Sequence, residues 1–261
     1  MKSSDRKFLR CFLLSVWLIL CGCVKEDRRE CPCRLIVDLT EVDRSLIEVV
    51  DVCVSNGQGF LYEDIKTADS YDEDEMILVP RDMVFLNVWS GAAGMNDGTG
   101  LHIPVGEHCP QVYMYSSLID ADEEYVREKV ELRKNHCVMS IYIEGEETVH
   151  GFEMTVKGNV CGYDAYGVPV SGDFVCCPST DDGGMFRAVI PRQKDSSLCL
   201  LINDGTGVIK TFAIGEYMAS SGYDWTDEHL KDLTLGIDYS LTQISVAIQG
   251  WDEVYEFDVV I

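Results

Sequence analysis

Apolar and polar residues alternate with a period of two along nearly the whole chain. That period belongs to strands with one face buried, not to amphipathic helices. In "CRLIVDLT" (33–40), Leu35, Val37 and Leu39 share a face. In "CVMSIYIE" (137–144), Cys137, Met139, Ile141 and Ile143 do so. "QISVAIQ" (243–249) aligns Ile244, Val246 and Ile248, and "VYEFDVVI" (254–261) aligns Tyr255, Phe257, Val259 and Ile261 opposite Glu256 and Asp258. Turn formers separate such runs: "SNGQG" (55–59), "NDGTG" (96–100), "TDDGG" (180–184) and "NDGTG" again (203–207). Helical spacing is rare. "IGEYMASSG" (214–222) sets Ile214, Tyr217 and Met218 on one side with Gly222 as a stop, and "TDEHLKDL" (226–233) adds at most a turn. The pattern predicts an all-β chain of antiparallel sandwiches with few short helices.

About 230 structured residues are many for one sandwich, so two domains are expected. The charged segment "DADEEYVREKVELRKN" (120–135) is the expected crossing, with the boundary near residue 127 to within about ten residues, giving an N-terminal sandwich over 31–126 and a C-terminal one over 127–261. "YEDIKTADSYDEDEM" (62–76) reads as a loop, without the spacing of a calcium-binding loop. Hydrophobic residues make up 46% of the chain, enough for real cores. The formal charge of −24 repels a phosphate backbone, so no nucleic acid is expected as partner.

The N-terminus carries a different signal. Lys2, Arg6, Lys7 and Arg10 precede the apolar "CFLLSVWLIL" (11–20). That run is too short to span the roughly 30 Å of a bilayer core, which needs about 20 residues. A basic start and a short apolar stretch make a secretory signal over residues 1–22. "Leu20-Cys21-Gly22-Cys23" resembles a bacterial lipobox. Gly22 supplies the small residue before the cut, and Cys23 becomes the lipidated N-terminus. An ordinary signal peptide cut elsewhere is the alternative. The chain is therefore expected to be anchored to a membrane without spanning it. Loss of residues 1–22, which carry a net +3, takes the charge from −24 to −27. Residues 23–30 form a charged tether. Within it, Lys25, Glu26 and Asp27 resemble the surface-export tag of Bacteroidetes lipoproteins, with a plain tether as the alternative.

Nine cysteines follow Cys23, an odd number. Their spacing fits no zinc site, and no metal is expected. Cys137, Cys161 and Cys199 stand in strand-like apolar runs where a thiol acts as a small hydrophobe. If a disulfide forms, the expected one joins Cys31 or Cys33 to Cys53, stapling the first strand to the second.

No catalytic constellation emerges, no cofactor motif is present, and the chain is not expected to be an enzyme. The glycine-rich "GAAGMNDGTG" (91–100) lacks a basic residue to face a phosphate. Trp225 and Trp251 can serve as sugar-stacking platforms or as packing.

A family resemblance adds to this reading. "CVKEDRRECPCRLIVDLT" (23–40) combines a lipid cysteine, a short charged tether and "Cys-Pro-Cys-Arg-Leu" opening the first strand. It resembles the fimbrillin-associated anchor lipoproteins of Bacteroidales fimbriae, the FimB-type family. "MILVPRDMVFLNVWSG" (76–91), "LRKNHCVMSIYIEG" (132–145), "EYMASSGYDW" (216–225) and "LGIDYSLTQISVAIQGWDEV" (235–254) are similar to later segments of that family. The resemblance implies two transthyretin-like antiparallel Greek-key β-sandwich domains in tandem. It implies a pilus anchor that attaches fimbrial shaft subunits to the outer membrane through its N-terminal lipid, exposed at the cell surface at the fimbrium base. Its relatives assemble by strand complementation. An anchor of this kind keeps its own first strand, because a cut at Arg28, Arg29 or Arg34 would free it from its lipid. A surface glycan-binding or adhesion lipoprotein is the alternative function.

Overall fold

The computed structural model describes residues 31–92, 100–143, 152–181, 183–203, 205, 209–238, 243–249 and 254–258. The fold is all-β sandwich, with nineteen strands and one α-helix among the described residues.

The first sandwich is built from β1 (Cys33–Asp38), β2 (Val49–Asn56), β3 (Gly59–Thr67), β4 (Glu75–Val79), β5 (Met83–Ser90), β7 (Tyr113–Asp120), β8 (Tyr125–Lys129) and the short β9 (Arg133–Lys134). One sheet has the order β4-β1-β8 and faces a second, β3-β2-β5-β7-β9. Alternation builds the core between them. Val50, Val52 and Val54 of β2 are buried while Val49, Asp51 and Cys53 turn outward. They meet Cys33, Leu35 and Val37 of β1, with Ile77, Leu86 and Tyr71 filling the space. Tyr71 keeps its hydroxyl satisfied by donating to the Ile47 carbonyl, 3.3 Å away.

The second sandwich repeats the plan. It uses β10 (His136–Ile143), β11 (Glu153–Asp164), β12 (Pro169–Cys176), β13 (Ser179–Thr180), β14 (Phe186–Pro191), β15 (Cys199–Asn203), β16 (Ile209–Phe212), helix α1 (Ile214–Ser220), β17 (Leu233–Asp238), β18 (Gln243–Ile248) and β19 (Val254–Asp258). Its sheets are β13-β14-β10-β17-β18-β19 and β12-β11-β15-β16. As β1 pairs antiparallel with β4 and parallel with β8, so β10 pairs antiparallel with β14 and parallel with β17. The order β3-β2-β5-β7 matches β12-β11-β15-β16. These two parallel pairings sit in sheets whose other strand pairs, among the described residues, are antiparallel. Each joins strands separated by most of a sandwich, so the chain can return in the same direction.

Helix α1 forms where expected. Ile214 and Met218 face inward. Gly222, at φ +82°, closes the helix: its N–H bonds the Ala219 carbonyl while Tyr223 N–H reaches back to Met218. Both bonds define a Schellman stop, which needs a residue in the left-handed region. No helix forms over 226–233.

The two sandwiches share a seam. Trp89 of β5 and Met114 of β7 reach into the core of the second sandwich, and between these strands the chain adds Ala92, Leu101, Ile103, Cys109 and Val112 to it. Strand β6 (Gly100–His102) in this excursion pairs with the end of β11, Gly162 opposite His102. Gly162 sits at φ +153°, and a Cβ there would overlap the Leu101 carbonyl oxygen. Further along, the Tyr166 ring packs on Phe85 at 4.4 Å. The Tyr163 hydroxyl donates to the Asn135 carbonyl and accepts Arg192 N–H at 2.8 Å. The Arg192 guanidinium then holds Asn135 Oδ1 at 2.9 Å and the carbonyls of Trp225, Asp227 and Lys134. This clamp fixes the loop over 226–232 that the sequence reads as a turn.

Strand β8 lies in the first sandwich beside β1 and β9 pairs with β7, so the chain passes from one sandwich to the other between β9 and β10, at the end of the charged segment 120–135. The run "YEDIKT", expected in a loop, is most of β3.

Candidate interaction surfaces

The predicted lipidation and export residues, Gly22, Cys23, Lys25, Glu26 and Asp27, lie outside the described residues. The description begins at Cys31, whose carbonyl accepts the Arg81 Nε–H at 2.9 Å. Arg81 also donates to the Asp122 carbonyl, 3.3 Å away. The incoming chain is thereby guided into β1, which is paired along both sides: Arg34 lies opposite Leu78 of β4 and Tyr125 of β8, and Ile36 opposite Met76 and Arg127. No helix among the described residues is long and apolar enough to cross a membrane.

Cys31, Cys33 and Cys53 are free thiols, so the expected staple between the first two strands is not formed. The alternation explains why. Cys33 points into the core, whereas Cys53 points to the outer face of its sheet beside Glu63 and Asn87. Burial pushes the Cys53 thiol up to about 11, so it stays protonated. Cys109, Cys137 and Cys176 are buried too, and desolvation raises all three. Vicinal Cys176 and Cys177 point to opposite faces, one buried and one exposed. The buried Cys109, Cys137 and Cys176 are packing groups with little thiolate character.

The sheet edges differ in how they are defended. Strand β3 turns Asp64 and Lys66 inward, paired at 2.7 Å, and a bulge interrupts its partner β2 at Val54/Ser55. Strand β8 exposes Arg127 and Lys129. Arg127 forks Asp38 at 3.0 Å and Asp74 at 2.8 Å. The β11–β12 pairing slips twice between Gly158 and Gly162. Strand β16 has only 4 residues and carries Lys210. Strand β19 carries Glu256. Inward charges, bulges and brevity all discourage a foreign strand. Strand β4, "EMILV", has Met76 at 57% and Leu78 at 61% exposure, with Ile77 and Val79 buried beneath.

The outer face of the six-stranded sheet holds two shallow clefts of about 240 and 360 Å³. Small residues make the floor. In one row Gly236 lies between Tyr142 and Ser245, with Glu256 beyond. In the next, Thr234 lies between Ser140 and Ala247. Tyr142 and Glu256 rise on either side of the first cleft, and Arg187 and Asp232 border the second. Asp232 is already committed to Lys134 Nζ at 2.6 Å and to Val138 N–H at 2.8 Å. A ring face, hydroxyls and a carboxylate together can hold a small polar molecule.

The tryptophans offer no such platform among the described residues. Trp89 is 1% exposed. Trp225 packs edge-on against Tyr223, ring centroids 4.9 Å apart, and Trp251 lies outside the described residues. His136 is buried at the seam with Nδ1 3.1 Å from the Val112 carbonyl and Tyr113 against its ring. No group of three or more potential metal ligands occurs among the described residues.

Sequence reasoning missed the seam strand β6, the outer-face clefts and the bare edge of β4. Only the last left a local signal, an uncharged run, "MILV", after an acidic one.

No protein-family profile matches the chain, and no curated protein matches its sequence. Solved structures share the fold. A protein from Bacteroides thetaiotaomicron, provisionally described as polysaccharide-binding, aligns with a TM-score of 0.63 at 11% identity over 86% of this chain and 98% of that one. The fimbrial anchor protein Mfa2 from Porphyromonas gingivalis aligns at 0.57 and 12% identity, over 85% and 98%. A provisionally assigned adhesin from Bacteroides thetaiotaomicron aligns at 0.56 and 14%, over 85% and 97%.

Proposed function

We propose that this chain is a lipid-anchored fimbrial anchor subunit of the FimB type. Cys23 ties it to the outer membrane at the cell surface, and fimbrial shaft subunits join it by strand complementation. The observation that carries the reading is the course of the chain just after the tether. A lipid-cysteine signal leads within ten residues into β1, a strand hydrogen-bonded on both sides by β4 and β8. Pull on the tether then loads β1 in shear along two ladders at once, the geometry an anchor needs. The likeness to Mfa2 agrees with this role, and the resemblance of "CVKEDRRECPCRLIVDLT" (23–40) points the same way. Backbone pairing supplies affinity and alternating side chains supply register when a strand is added to such sandwiches. The reading assigns no enzymatic activity.

Replacing Cys23 tests the anchor. Cys23→Ala is expected to leave the fold intact and fimbriae shed into the medium; cell-bound fimbriae at normal levels in that variant contradict the proposal.

A second reading is a surface adhesion lipoprotein that binds glycans. The cleft beside Tyr142 and the likeness to the protein provisionally described as polysaccharide-binding favour it.

A further inference from the structure

An open sheet edge presents unpaired N–H and C=O groups, and folded proteins blunt such edges or cover them. Strand β4 does neither. It ends its sheet, and among the described residues no strand lies on its other side. Its last four residues, Met76 to Val79, contain no charge, glycine or proline, and its pairing with β1 runs unbroken from Glu75 to Val79. The counterpart edge in the second sandwich, β14, is covered by β13, with Ser179 opposite Arg187 and Thr180 opposite Phe186.

We propose that β4 is a self-association edge, pairing antiparallel with β4 of a second copy of this chain. A two-fold axis perpendicular to the sheet at Ile77 keeps inner faces with inner faces. It sets Ile77 opposite Ile77, Met76 opposite Leu78, Glu75 opposite Val79, and Glu73 opposite Arg81 of the other copy. The outward pair Met76 and Leu78, each more than half exposed, then cover one another across the junction. Charge selects the direction. Asp72, Glu73, Asp74 and Glu75 precede the strand's apolar centre, and Arg81 follows it. An antiparallel register brings acidic flank to Arg81, whereas a parallel one stacks acid on acid. The three-stranded sheet β4-β1-β8 becomes six strands wide, the width that the second sandwich reaches with β13, β18 and β19. This pairing does not depend on the fimbrial reading.

The test is sedimentation equilibrium of the exported chain carrying Cys23→Ala, which removes the lipid, under reducing conditions that exclude bridges through exposed Cys31 and Cys177. A concentration-dependent dimer is expected. Met76→Lys with Leu78→Lys raises its dissociation constant by at least about tenfold, the equivalent of about 1.4 kcal/mol. Glu73→Arg and Arg81→Glu each weaken it, and the two together restore it, a rescue that a fold defect would not produce. A monomer at every concentration overturns the proposal. So does a dimer unmoved by the lysine pair, or charge reversals that fail to compensate.

Discussion

At the scale of single residues, two polar groups carry more than their neighbours, the half-buried Arg192 and the buried His136. Arg192 satisfies its guanidinium on backbone carbonyls and on the Asn135 side-chain oxygen. Its planar fork presents five donors in a fixed, wide geometry, which the three donors of a compact ammonium do not reproduce. Arg192→Lys is expected to cost about 2–3 kcal/mol, seen as a lower urea midpoint; an unchanged midpoint would show the clamp to be idle. His136 is the second. Burial holds its imidazole down to about 4, against 6.5 when free, and the Val112 carbonyl only partly offsets this. The unfolded chain therefore binds a proton that the folded chain refuses between those values. The stability that His136 supplies is complete above about pH 6.5 and is lost as pH falls toward 4, by about 3 kcal/mol. Unfolding midpoints measured from pH 7 to 4 should fall less steeply in His136→Gln than in the parent, and equal slopes would count against this assignment.

At the scale of elements, the seam decides whether the two sandwiches act as one body. Strand β6 approaches β11 so closely that only glycine fits at position 162. Gly162→Ala is expected to cost about 2 kcal/mol or more through backbone displacement. The loss should be local, with faster amide exchange in β6 and the end of β11 and little change in β2 or β5. Uniform exchange across the molecule would place the constraint elsewhere. This scale also shows what the residues revealed beforehand. Strands β1, β10, β18 and β19 fall on the alternating runs, because each buries one face. Strand β3 escaped because it reverses the rule: Tyr62, Asp64 and Lys66 take the inner side and Leu61, Glu63 and Ile65 the outer. Strand β8, "YVREK", read as a charged crossing for the same reason, since a defended edge looks like a loop. The parallel partners of β1 and β10 leave no mark in a period of two, because topology and not alternation chooses a strand's neighbour. The proposed interaction surfaces were the least legible of all. The two clefts, one floored by Gly236 and Ser245 and the other by Ser140 and Thr234, combine the neighbouring strands β17 and β18 with β10, which lies far earlier in the sequence.

At the scale of the whole molecule, the described residues form two sandwiches of one plan joined through a shared core, and the proposed lipid anchor would lie ahead of the first strand. A body built this way resists bending between its halves and takes load through a doubly paired first strand. The most direct measurement is a mild-detergent pull-down of the protein from outer membranes, with mass spectrometry of what accompanies it. The account predicts β-rich fimbrial subunits in heat-labile, high-mass ladders. Recovery of the protein alone, or with polysaccharide in place of fimbrial subunits, would contradict it.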